Sequence, residues 1–144
     1  MSASFEEDVV TLLTAQWNSA LTGGRTPSIA VAYDDKRVDL RAGDFLRVYN
    51  LTELDAVNGF GNNTKKFESV CRIDIRTMAS FAQLNLMVTE AKRITDGKRK
   101  AGITGYSDLL PTGEAKNLSD GGRQFWRYIY DLRGRKLNVA VTPI

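Results

Sequence analysis

Histidine is absent from the 144 residues and cysteine occurs once. The first absence removes the commonest general base, the commonest metal ligand and every Ser/His/Asp or Cys/His arrangement. The lone Cys71 excludes an internal disulfide. Its place on the apolar side of an alternating segment predicts a buried, inert thiol rather than a nucleophile. Proline is limited to three residues, and no apolar run is long enough for a membrane-spanning helix. The opening MSASFEEDVV is acidic where a secretory signal is basic. The Asn-x-Ser/Thr triplets at Asn50, Asn62 and Asn117 matter only in a secreted chain and carry no reading here.

The composition is that of an ordinary globular chain, with 42% hydrophobic and 26% charged residues. The length suits a single domain, residues 1–144, with a core of its own. A formal charge of +3 is too mild to imply nucleic acid unaided.

Ser4 and Glu7 form an S-x-x-E capping box, and Phe5, Val9, Leu12, Leu13, Ala20 and Leu21 follow at helical spacing, predicting a helix over 5–21. Glu6, Glu7 and Asp8 fall in its first turn, where the helix dipole favours negative charge, so they read as structural rather than catalytic. Gly23 and Gly24 end it. Residues 28–33, SIAVAY, alternate as a strand, and Asp34-Asp35 supplies a turn. RVDL and DFLRVYNL read as one interrupted strand or two short ones. Residues 52–66, rich in Gly, Asn and Thr, read as an exposed loop; Gly59-Phe60-Gly61 lacks the third glycine and the helix of a phosphate loop.

Residues 66–77 alternate with period two. Phe67, Cys71, Ile73 and Ile75 share one side, and Glu68, Arg72, Asp74 and Arg76 share the other. A second capping box, Ser80 with Gln83, opens a helix carrying Phe81, Leu84, Val88, Ala91 and Ile94. Residues 101–122, turn-rich and containing Pro111, read as a long loop, functional or disordered. Two strands, 123–133 and 136–142, then follow across a hairpin at Gly134-Arg135. The order α-β-β-β-α-β-β predicts an α+β domain: a mainly antiparallel sheet with two amphipathic helices packed on one face. The side bearing Arg72, Asp74 and Arg76 is then left uncovered.

Two segments invite a nucleic-acid reading. QFWRYIYDLRGRK interleaves Phe125, Trp126, Tyr128 and Tyr130 with Arg127, Arg133, Arg135 and Lys136, as a base-stacking platform would. Trp126, Tyr128 and Tyr130 nevertheless share a side, which also suits a central strand. KRITDGKRK holds a basic cluster ending in Lys98, Arg99 and Lys100, a composition equally suited to the solvated carboxy-terminal end of a helix. No short spacing sets two carboxylates together for hydrolysis. The residues therefore name no catalytic, metal-binding or cofactor-binding group.

The element order, the amino-terminal helix ending near Trp17, the GDFLRVYNL strand and the run VCRIDIRTMASFAQLNLMVTEAKRI together resemble the tail terminator family of tailed viruses. In that family a V-x-I-D-I-R-like strand runs directly into a long helix; here Arg72 interrupts the strand's start. The likeness spans roughly residues 5–95 and 123–142. It implies a structural virion protein of the tail or neck, assembled in the host cytoplasm, without enzymatic activity, cofactor or membrane. It further implies a homo-oligomeric ring, commonly of six copies, that caps the tail tube protein, ends its polymerisation and meets the head connector or head-closure protein. Genomic DNA would only pass through. On this reading Arg72, Asp74 and Arg76 lie at the subunit interface, and Phe60, Asn62, Tyr106, Leu109 and Leu110 lie on partner-contact loops. A related neck or head-closure protein and a small nucleic-acid-binding module are the alternatives.

Overall fold

A computed structural model describes residues 4–32, 43–57, 64–99, 106, 108–117 and 126–140. Among these residues two α-helices and five strands follow one another: α1 (Phe5–Gln16), β1 (Ser28–Val31), β2 (Asp44–Val57), β3 (Thr64–Thr77), α2 (Phe81–Gly97), β4 (Asp108–Asn117) and β5 (Trp126–Ala140), the first five in the anticipated order. The strands form one sheet in the order β1-β2-β3-β5-β4. Among the described residues only the β1–β2 pair is parallel. The domain is therefore α+β with a mainly antiparallel sheet, as the sequence predicts.

Both helices begin where the capping boxes place them. Ser4 Oγ accepts the Glu7 N–H at 3.3 Å, and Ser80 Oγ accepts the Gln83 N–H at 3.0 Å. Phe5, Val9, Leu12 and Leu13 of α1 and Leu84, Met87, Val88, Ala91 and Ile94 of α2 enter one core with Leu46, Val48, Cys71, Ile73, Ile75, Tyr130 and Leu132. These strand residues are in register across the sheet, so the two helices share one of its faces. Among the described residues no helix is long and apolar enough to cross a membrane.

Four boundaries differ from the sequence reading, each for a tertiary reason. The first helix stops at Gln16, and Asn18 caps a separate 3-10 turn, Ser19–Thr22, with Gly23 left-handed at its end. Glu90 of α2 draws this break in: its carboxylate accepts the Asn18 N–H at 2.6 Å and holds Arg93 at 2.9 Å. Residues 52–57 are not a loop but the outer half of β2, paired to β3 beyond a bulge between Asn50 and Thr52. Much of the segment 101–122 is strand β4 rather than an open loop. Pro111 sits in it in register with Leu132, on the sheet edge where a missing N–H interrupts no inner ladder.

The fourth difference is the absent hairpin at Gly134. Strand β5 runs through this residue unbroken, in register with Ser69 and Leu109. A Cβ there would stand 2.4 Å from Phe5 Cε1 and 2.9 Å from Tyr106 Cδ1. Glycine serves close packing here, not a turn. The Phe5 and Tyr106 rings meet over it with centroids 4.9 Å apart.

Asp44 ties three elements together. Its carboxylate, 6% exposed, holds Arg25 through two hydrogen bonds of 2.9 and 3.0 Å. It also accepts from Thr77 Oγ1 at 2.7 Å and from Gln83 Nε2 at 3.1 Å. Burial alone would raise this carboxyl; the donors around it outweigh burial and hold it below its ordinary value.

Candidate functional site

The face of the sheet turned away from the helices is the candidate. Register assembles it in rows: Phe45, Arg76 and Arg127; Arg47, Asp74 and Ile129; Tyr49, Arg72 and Asp131. Further along, Arg133 lies opposite Val70 and Leu110, and Arg135 opposite Glu68 and Asp108. Alternation in β3 alone put Arg72, Asp74 and Arg76 here. Their partners come from β2 and β5, far away in sequence.

Asp74 is the centre of this face. It is 4% exposed. Arg76 and Arg127 each approach it as a two-nitrogen fork, at 2.9–3.3 Å and 2.9–3.0 Å. Arg72 holds Asp131 in the same way, at 2.8 and 3.3 Å, and Arg135 pairs with Asp108. The Asp131 contact, followed by a bond to Tyr49, raises the Arg72 guanidinium above its ordinary range. Arg127 is raised mainly by its bond to Asp74. Arg47 lies over the Phe45 ring, 5.2 Å from its centroid, and donates to the Ser28 carbonyl at 2.7 Å. The described carboxylates of this face are thus matched inside the chain.

The other anticipated residues scatter. Tyr106 and Leu109, placed by the sequence on a partner-contact loop, are core residues at 6% and 0% exposure. Burial pushes the Tyr106 hydroxyl up to about 12. Leu110 is half-buried on β4. Phe60, Asn62 and Lys100 lie outside the described residues. Lys98 caps α2, and Arg99 reaches Asp96 at 3.6 Å with both side chains half exposed. That geometry fits a solvated helix end.

The aromatic strand is not a stacking platform. Tyr130 is buried beneath α2, and Trp126 and Tyr128 pack against the same core. Lys92 of α2 donates to Tyr128 Oη at 2.7 Å and covers its ring at 4.8 Å. Cys71 is buried at 0% exposure and burial drives its thiol far up, so the inert reading of this cysteine holds. Among the described residues no cluster of Cys, Asp and Glu is arranged to hold a metal ion.

No protein-family model and no curated protein matches the chain. Among solved structures the fold is similar to a chain of the virion of a native gene transfer agent particle. The TM-score is 0.64 at 18% identity, over 92% of this chain and 93% of that one. A second solved chain aligns over 98% of this chain and 100% of its own at 13% identity, with a TM-score of 0.48. The first likeness establishes a shared fold across nearly the whole of both chains.

Proposed function

We propose that this chain is a structural virion protein that forms a closed ring at the head-proximal end of a tail tube, ends the tube's polymerisation and joins it to the head connector. The observation that carries the proposal is the near-complete match in fold to a chain of a gene transfer agent virion. The tail-terminator texture of residues 5–95 and 123–142 points the same way. A sheet face that carries no helix among the described residues and is rich in fixed arginines is a surface suited to protein contacts rather than to chemistry.

The alternative nucleic-acid reading loses its main support, since Tyr130 is in the core and Trp126 and Tyr128 pack against it. The test is deletion of the chain from the virion's assembly pathway, with electron microscopy of the products. Tubes of uncontrolled length that fail to join heads are expected. Normal tails joined to heads would refute the proposal. Tubes of normal length lying apart from heads would move the chain to a head-closure position instead.

A further inference from the structure

We propose that the cavity between the last turns of α2 and strand β4 is a binding site for a carboxylate carried on a short apolar stem. This site is independent of the ring reading.

Strand register makes the cavity. Thr112 pairs with Asp131 and Lys116 with Ile129, so residues 113–115 of β4 stand against Tyr130 alone. A bulge of this kind bends its strand away from a regular ladder. The space left over Tyr130 is an open cavity of about 190 Å³, bounded by Lys92, Thr95, Asp96 and Arg99 of α2 and by Pro111 and Thr112 of β4. Residues 92, 95, 96 and 99 fall at helical spacing, so one face of α2 presents them together.

The floor is short of acceptors. Thr95 Oγ1 donates to the Ala91 carbonyl at 3.1 Å, with the Lys92 carbonyl at 3.3 Å sharing its proton. A hydroxyl has a single proton to give. Tyr130 is therefore the donor in its contact with Thr95 Oγ1, and that contact is 3.5 Å long, at the outer limit of a hydrogen bond. Tyr130 is 3% exposed, and burial pushes its hydroxyl well up, so the proton stays on. A buried donor with so distant an acceptor is better satisfied by one placed in the cavity.

The walls add positive charge. Lys92 has three N–H donors, and its hydrogen bond among the described residues goes to Tyr128 Oη at 2.7 Å. Arg99 meets Asp96 at 3.6 Å, beyond hydrogen-bond length. Two cations against one carboxylate leave the described walls with a positive excess, which a monoanion balances and a dianion overshoots. The end of α2 opposes an anion less than a bare helix end would. The carbonyls of Thr95, Asp96 and Arg99 already accept from the N–H groups of Lys98, Arg99 and Leu109. The rings of Tyr130 and Pro111 give an apolar stem a surface to lie against.

A free short-chain acid and a glutamate side chain of a neighbouring polypeptide offer this same chemistry. Nuclear magnetic resonance titration of the intact chain with butyrate, and separately with glutamate capped as its acetyl amide, tests the site and distinguishes the two. Saturable shifts are expected at the Thr95, Asp96 and Arg99 amides and in the Tyr130 ring, with a millimolar dissociation constant. Tighter binding of butyrate supports the site with a free acid as its ligand, and tighter binding of the capped glutamate supports it with a side chain. Arg99→Ala and Lys92→Gln are each expected to weaken binding at least about fivefold. Asp96→Asn removes the competing carboxylate and is expected to tighten binding about threefold, a gain that a merely structural role does not give. Melting curves check each fold; Arg99, half exposed, carries the test if Lys92→Gln unfolds by losing Tyr128. The site is refuted if neither probe gives saturable shifts, if the shifts scatter over surface lysines, if Asp96→Asn weakens binding, or if inorganic phosphate binds as tightly as butyrate. None of these results bears on tube length, so the ring reading stands or falls separately.

Discussion

Replacing Asp74 by Asn measures how far the arginine face is part of the folded chain. Asn keeps the shape, removes the charge between Arg76 and Arg127, and turns an amide N–H₂ toward donors. An exposed ion pair is worth about 0–1 kcal/mol, while removing one partner of a fully buried pair costs about 3–5 kcal/mol. Asp74 is nearly buried, but its arginines retain water on about a third of their surface. The expected loss is therefore intermediate, about 2–3 kcal/mol. For a chain of this size that lowers Tm by about 5–10 °C. Urea and thermal unfolding followed by circular dichroism read the value. A cycle with Arg127→Gln isolates the coupling, because the two changes together should cost less than their sum. A loss below about 0.5 kcal/mol, with no coupling, would show a solvated face and refute the reasoning. Charge reversal at Asp74 would therefore unsettle the fold itself.

Gly134→Ala is expected to cost about 1–3 kcal/mol by crowding Phe5 and Tyr106. Phe5→Leu in the same chain should recover part of that loss, measured by denaturant midpoint. Asp44 sets an acid limit: its folded carboxyl lies below the unfolded value of about 3.9, so its stabilisation is complete above that value and disappears as pH falls through the lowered folded one. Asp44→Asn should be less stable at neutral pH and lose stability less steeply in acid, as melting curves from pH 6 to pH 3 would show. Cys71 is expected to resist a thiol reagent in the native protein and to react on unfolding in guanidinium.

The helix starts were legible because a capping box is local: Ser4 and Ser80 each carry the signal within three residues, and both serve as the cap. The ends of strands were not. Residues 52–57 and β4 are polar and turn-like by composition, and become strand because β3 and β5 offer a ladder to pair with. Gly134 misled for the same reason. A glycine beside Arg135 and Lys136 reads as a turn, but here two aromatic rings over the strand leave no room for a Cβ. The α1 break at Gln16 depends on Glu90, seventy-two residues beyond Asn18.

Alternation in β3 separated its charged side from its apolar side correctly, because period two is a property of one strand. It could not say what the charged side faces. That is decided by register, which sets Arg127 beside Arg76 and Asp131 beside Arg72 across fifty residues or more of chain. From β3 alone, two arginines and one aspartate look like free charge seeking a neighbour. With β2 and β5 in place they become a nearly closed lattice whose buried members are carboxylates and whose outer members are guanidinium groups. A one-residue slip of β5 would remove the lattice by turning those arginines toward the core.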